Sequence, residues 1–321
     1  MTMSPAPASL PTVSVVIPVY GADRSLADLV DRVIDAGGPG EFQVEEVLLV
    51  FDGGTDAAAE ILEELDGHRG LVRVIWLTRN FGQHAATFAG IANSTGQWVA
   101  TIDEDGQHPP EALGGMLARA IAERAQVVYA RPTNRRPHGG VRNVASALAR
   151  SIASRVAIGA GARDFHSFRL IDGAVARAAA RATGPDAYLD IALSWVAARY
   201  SLEPVELGPE TRTSGYSTRR LIGHFRRLML ASGTRGLRLV SLLGTVFAVV
   251  GVLAAVAIVV VKLTLGFDTE GWASTIVALL ISSGTILFAL GVIAEYIGVT
   301  VSAAMGRPGY VVREPQPPTR E

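Results

Sequence analysis

Short apolar runs alternate with amphipathic stretches along the first 130 residues. Residues 13–18, 47–51, 72–77, 98–102 and 127–129 are near-continuous apolar runs, whereas 23–36, 56–65, 83–93 and 111–124 place apolar residues at helical spacing. Strands that are apolar on both faces and separated by helices predict an α/β domain with a mostly parallel sheet covered on both sides. From 131 to 210 the pattern loosens and becomes Arg-rich. It predicts a loop over 132–140, a helix over 141–158, a turn over 159–164 and two further helical stretches. Trp195 and Tyr200, in the last of these, are expected in the core.

Two long apolar segments follow. Residues 237–265 and 273–302 each exceed the roughly 20 residues needed to cross a bilayer's hydrocarbon core. Arg219, Arg220, Arg226, Arg227, Arg235 and Arg238 precede the first, Arg307 and Arg313 follow the second, and the connection between them carries Asp268 and Glu270 but no Arg. This asymmetry predicts a transmembrane hairpin with both flanks cytoplasmic. Residues 219–230 alternate basic and apolar positions at helical spacing, as expected of a helix lying on anionic headgroups of the lipid bilayer. The division expected is a disordered N-terminus (1–12), a cytoplasmic α/β domain (13–215), interfacial helices (216–236), a hairpin (237–302, spans at about 237–265 and 273–300) and a cytoplasmic tail (303–321). Residues 1–11 have neither a basic region nor an apolar one, so no signal peptide is expected there.

Composition narrows the chemistry. The chain has 321 residues, is 49% hydrophobic and only 18% charged, and contains no cysteine, which excludes disulfides, thiolate metal sites and Cys nucleophiles. A net charge of −1 gives no sign of a nucleic-acid partner.

In parallel sheets ligands bind outside the carboxyl ends of the strands. Three such ends carry polar chemistry: Pro18-Val19-Tyr20, Asp52, and Asp103-Glu104-Asp105-Gly106-Gln107. Along an extended chain Asp103, Asp105 and Gln107 share a face while Glu104 points away. Two carboxylates and an amide oxygen suit a hard divalent cation that itself holds phosphate oxygens; the alternative is an acidic turn capping the next helix. Arg131, Arg142 and Arg212, each beside a Gly- or Pro-containing loop, are candidate phosphate ligands, because a guanidinium meets phosphate oxygens in pairs. His84 and His108 flank the rim and are expected to be structural; Glu295 lies near the end of its span, where an interface or oligomer contact suits it as well as a functional role.

The motifs resemble a known family. Val15-Val16-Ile17-Pro18-Val19-Tyr20, Asp52-Gly53-Gly54-Thr55-Asp56, Arg79-Asn80-Phe81-Gly82 and Asp103-Glu104-Asp105-Gly106-Gln107-His108-Pro109-Pro110-Glu111 stand in the order and spacing of family 2 glycosyltransferases. More narrowly the chain resembles the polyprenyl-phosphate glycosyltransferases, the dolichol-phosphate mannose synthases and bacterial undecaprenyl-phosphate glucosyltransferases. Gly271-Trp272-Ala273-Ser274, Gly291-Val292-Ile293-Ala294-Glu295-Tyr296-Ile297-Gly298 and Arg307-Pro308-Gly309-Tyr310 look like the two-span tail of the latter.

The resemblance implies a GT-A fold and Mg2+ or Mn2+ held, with the donor diphosphate, by Asp103, Asp105 and Gln107. It implies a nucleoside pocket lined by Pro18, Tyr20 and Asp52, and places Arg131, Arg142 and Arg212 toward the acceptor and donor phosphates. It further implies an NDP-sugar donor (UDP or GDP), a polyprenyl phosphate acceptor and a homo-oligomer at the cell membrane. The chain departs from the family's Asp-Asp-Gly-Ser with Phe51-Asp52-Gly53-Gly54, and from its Asn-Glu after the Tyr with Gly21-Ala22. The segment Asp164-Phe165-His166-Ser167-Phe168-Arg169 stands where the family has Gly-Asp-Phe-Arg or Ser-Gly-Phe-Arg; either Asp164 takes the place of the family carboxylate or that group is lost. A phosphate monoester, with a second pKa of about 6, attacks as a dianion at neutral pH and needs no strong base; a hydroxyl acceptor does need one. Transfer to a lipid or glycan hydroxyl and a non-catalytic nucleotide-sugar-binding subunit are the competing readings.

Overall fold

The computed structural model describes residues 10–38, 40–134, 165–182, 184, 187–209, 235–265 and 271–313. The expected helix at 141–158, the interfacial stretch 216–236 up to residue 234, and Arg142, Asp164 and Arg212 lie outside them. The chain divides into two units, an α/β unit that includes residues 307–313 and a helical unit.

Among the described residues the α/β unit holds a seven-stranded sheet in the order β3-β2-β1-β4-β6-β5-β7. The strands are β1 (Thr12–Val19), β2 (Gln43–Phe51), β3 (Val72–Trp76), β4 (Trp98–Thr101), β5 (Val127–Pro132), β6 (Arg169–Asp172) and β7 (Tyr200–Val205). The helices of this unit are α1 (Ser25–Asp35), α2 (Asp56–Leu65), α3 (Gln83–Ala92), α4 (Leu113–Glu123), α5 (Gly173–Arg181) and α6 (Leu189–Val196). All pairings are parallel except those of β6, which runs against both β4 and β5.

Strand β1 shows why the layers form. Val15, Val16 and Ile17 are wholly buried, because successive side chains enter opposite layers. Val15 and Ile17 pack in the layer of α1, α2 and α4 with Leu26, Leu29, Leu62 and Met116, whereas Val16 joins Phe88, Ile91 and Leu189 on the other face. Each such burial contributes roughly 1.5–3 kcal/mol, so β1 is anchored from both sides and its end is fixed in space. On α3, a Cβ on Gly90 would lie 2.3 Å from Val16 Cγ1. Only glycine lets this helix lie so close to β1, and that approach brings the start of α3, Gln83, to the carboxyl rim.

Two expectations change here. The 165–205 region contains the expected helices α5 and α6, but also the strands β6 and β7. Both strands are four to six residues long, too short for periodicity to separate from loop. Trp195 and Tyr200, expected in the core, are 61% and 51% exposed. Their helical spacing does not survive, because α6 ends at Val196 and Tyr200 opens the edge strand β7.

Residues 309–313 pair with the other edge. Leu77 and Val312 form an antiparallel bridge, Thr78 N–H donates to Val311 O at 3.0 Å, and Tyr310 packs half-buried on the core. The helical unit is built on α7 (Arg235–Leu265) and α8 (Trp272–Ala304), which meet around Gly244, Phe247, Gly284 and Phe288. Within α8 the 24-residue stretch Ile281–Ala304, which contains an 18-residue window of mean hydropathy 1.9, is long and apolar enough to cross a membrane.

Candidate active site

Four chain segments meet at the carboxyl rim of the sheet. Asp52, just past β2, is 3% exposed, and its two carboxylate oxygens accept the Phe81 N–H (2.7 Å) and the Gly82 N–H (2.8 Å). Burial raises its pKa above the ordinary 3.8, against the lowering effect of those two amides. Asp52 therefore pins the Arg79-Asn80-Phe81-Gly82 loop. The turn after it passes against β1: a Cβ on Gly54 would stand 1.6 Å from the Tyr20 carbonyl oxygen. The departure from Ser to Gly at 54 thus has a steric cause in this chain.

The period-two alternation assumed for the acidic stretch stops with β4 at Thr101. Residues 103–107 form a turn in which Asp105 Oδ1 accepts the Gln107 N–H at 3.1 Å, and the Gln107 carbonyl accepts the Gly208 N–H at 2.8 Å. Glu104, expected to point away, instead reaches across the rim and accepts the N–H groups of Tyr20 (3.1 Å) and Gly21 (3.2 Å). A turning backbone aims consecutive side chains in directions that a strand does not.

Asp103 is the hub. Its Oδ1 accepts from Gln83 Nε2 at 2.7 Å and its Oδ2 from Ser167 Oγ at 2.7 Å. The Asp103 N–H donates to His108 Nδ1 at 3.0 Å, which leaves the neutral imidazole's proton on Nε2, 3.5 Å from Ser167 Oγ and 3.7 Å from Asp103 Oδ2. Burial lowers the His108 pKa below the ordinary 6.5, against the upward pull of Asp103 and Asp105. The structural role expected for His108 is the one its contacts describe.

Because β6 is antiparallel, it delivers its first residue to the rim where the parallel strands deliver their last. Arg169 stands opposite Thr101 and Tyr129, donates Nε–H to Thr101 Oγ1 at 3.0 Å, and forms an ion pair with Asp190 of α6. Tyr129, buried, interacts with both, and burial together with the Asp190 charge holds its phenol well above the ordinary 10.0. Asp103, Pro18, Gln83, His84, Ser167, Arg169 and Asp190 all line one cavity of about 110 Å³. Tyr20 is 56% exposed on the rim, and Arg131 is exposed at the end of β5, separated from β4 by β6.

Residues 14–171 match the model of glycosyl transferase family 2. Over nearly the whole chain there is closer kinship. Undecaprenyl-phosphate 4-deoxy-4-formamido-L-arabinose transferase of Proteus mirabilis (strain HI4320) is 33% identical over 314 residues, 94% of this chain and 93% of the relative. The enzyme of that name from Salmonella choleraesuis (strain SC-B67) is 33% identical over 96% of this chain and 94% of its own. The chain belongs to glycosyltransferase family 2. Mannosyl-3-phosphoglycerate synthase of Rubrobacter xylanophilus shares the GT-A fold over 71% of this chain and 74% of its own, at a TM-score of 0.50 and 16% identity.

In this glycosyltransferase, sequence reasoning brought Pro18 and Asp103 to one cavity and Tyr20, Asp52 and Asp105 to the same rim. It missed Gln83, Ser167, Arg169 and Asp190. The signal for the last two was available: an Arg following an apolar Phe and an Asp opening an apolar helix are both charges in buried contexts.

Proposed function

We propose that this glycosyltransferase moves a sugar from a UDP- or GDP-sugar to a polyprenyl phosphate at the cytoplasmic face of the cell membrane. The observation that carries the reading is the likeness to undecaprenyl-phosphate transferases over 94% of the chain. It extends well past residue 171, where the family model stops, and takes in the apolar helices. The hairpin, the cytoplasmic orientation and a homo-oligomer belong to this proposal, and the basic flanks of the apolar segments support the orientation.

The donor set fits a hard divalent ion. Asp103 and Asp105 offer carboxylate oxygens two residues apart on one turn, and Mg2+ sites commonly use one or two carboxylates and leave the rest of the shell to substrate phosphates and water. Among the described residues no group of three or more His, Asp and Glu side chains would hold an ion unaided. Asp103, Asp105 and Gln107 would hold Mg2+ or Mn2+ with the diphosphate. When bound, the ion neutralises charge on the departing nucleoside diphosphate.

The chain's own residues do the rest. Gln83 and Ser167 fix the Asp103 carboxylate, Asp52 holds the loop that borders the nucleoside, and Arg131, Arg142 and Arg212 meet phosphate oxygens. A phosphate oxygen of the acceptor forms its bond to the anomeric carbon as the bond from that carbon to the β-phosphate oxygen breaks. The electron pair leaves with the nucleoside diphosphate, and attack from the opposite side inverts the anomeric centre. No side chain has to remove a proton, since the dianionic phosphate carries none at the attacking oxygen; Asp164 is then an orienting carboxylate rather than an obligatory base.

Full-length protein in membranes, given radiolabelled UDP- and GDP-sugars with either undecaprenyl phosphate or undecaprenol, tests this. Label on the phosphate alone is the expected result. Label on undecaprenol and not on the phosphate contradicts it.

A further inference from the structure

We infer that Asp190 selects the transferred sugar and that the cavity it lines accepts an uncharged glycosyl group. The inference rests on the sugar-transfer reading and deepens it. One cavity is lined by Asp103 and by the Asp190–Arg169 pair. A group carried on a diphosphate held at Asp103 has this space next to it, and that group is the sugar.

The ion pair itself points to a ligand. Removing two charges from water is costly, and apolar side chains of similar volume stabilise a fold at least as well. Stability therefore does not account for it. Its two members are also unequal: the Arg169 side chain is 5% exposed and that of Asp190 18%. The guanidinium is engaged by Thr101, Tyr129 and Asp190, and of the two charged partners lining the cavity the carboxylate is the more exposed. A carboxylate has about four acceptor positions, enough to satisfy Arg169 and Tyr129 and still receive a hydroxyl group of a sugar ring. Thr101 is occupied in turn, donating to the Ser167 carbonyl at 2.6 Å, which keeps the guanidinium from rotating toward a ligand.

Charge excludes the other occupants. Among the described residues the lining contains the carboxylates of Asp103 and Asp190 and the guanidinium of Arg169. The diphosphate offsets the ion that Asp103 would hold, and Arg169 is already engaged, so an acceptor phosphate or the carboxylate of a uronic acid would stand against Asp190 as like charge. An uncharged sugar does not, and its hydroxyls donate to Asp190.

The test is calorimetric binding, with Mn2+, of UDP, GDP and their glucose and glucuronic acid conjugates to the full chain. Wild type, Asp190→Asn and Thr87→Leu are compared. Asp190→Asn keeps an acceptor oxygen for Arg169, and Thr87→Leu narrows the cavity from α3 without touching the pair. The nucleotide that wild type binds sets the series. Wild type should prefer the glucose conjugate to the glucuronic acid conjugate. Both variants should bind the bare nucleotide within about twofold of wild type but the glucose conjugate about tenfold more weakly, the loss of a hydrogen bond to a charged acceptor. Asp190→Asn should also narrow the preference against glucuronic acid. Equal weakening of nucleotide and conjugate, or no change in either, overturns the inference while leaving sugar transfer standing. Failure of wild type to bind either nucleotide sinks the donor reading, and this inference with it.

Discussion

Both ends of the central strands carry acids, and the two ends use them differently. At the amino end, Glu46 of β2 accepts from Ser14 Oγ (2.8 Å), the Thr95 N–H and hydroxyl (2.7 Å each) and Arg73 (3.0 Å). Burial pushes its pKa up, but these donors outweigh burial and bring it below the ordinary 4.5. No cavity described adjoins it. At the carboxyl end, Asp52 and Glu104 are spent on backbone amides that hold loops, while Asp103 and Asp190 are fixed by neighbours yet still border open space. An acid that closes a network is structural; an acid held rigid against a cavity is equipped to meet a ligand.

Substitutions at the two ends should therefore separate activity from stability. Asp105→Ala should lower turnover by about 10³-fold, the loss of several kcal/mol of charge stabilisation, with the melting temperature unchanged. Arg169→Met leaves Asp190 charged and uncompensated in a buried site; it should cost about 3 kcal/mol of unfolding free energy in urea titration, and so marks where the rim is also structural. Asp52→Asn replaces one of two acceptors by an amide donor facing an N–H group. The loop at 79–82 loosens, and the donor KM should rise about tenfold with kcat little changed.

Glu46→Gln is the smallest of these and the control for all of them. It should cost about 1 kcal/mol at neutral pH and leave kcat/KM at the wild-type value. Its pH dependence has a fixed sign. Because the folded-state pKa lies below the unfolded value, the carboxylate's stabilisation is present above about 4.5 and is lost as pH falls through the folded value. Chemical denaturation followed from pH 6 down to 3 should show wild type losing more stability than Glu46→Gln; parallel curves would remove Glu46 from the account.

The sequence was most readable where one physical rule governed a whole segment. The buried strands β1 to β5 read as apolar runs because both faces are covered, and the acidic turn stood out because charges follow a buried strand. Reading failed where direction or pairing decided the outcome. Periodicity cannot announce that β6 runs antiparallel, yet this reversal is what carries Ser167 and Arg169 to the rim. Nor can it place Gln83, which reaches Asp103 only because Gly90 lets α3 lie against Val16. Glu104 was misaimed because strand geometry was extended past Thr101 into a turn. Arg142, Asp164 and Arg212 fall outside the described residues, so their assignment rests on motif alone.

The most direct measurement is transfer of radiolabelled sugar from the preferred NDP-sugar to undecaprenyl phosphate by wild type, Asp105→Ala and Glu46→Gln, with Mn2+ and with chelator. The account predicts lipid-linked product from wild type and Glu46→Gln only, and only with the metal. Product formed by Asp105→Ala at the wild-type rate, or by wild type in chelator, would contradict it.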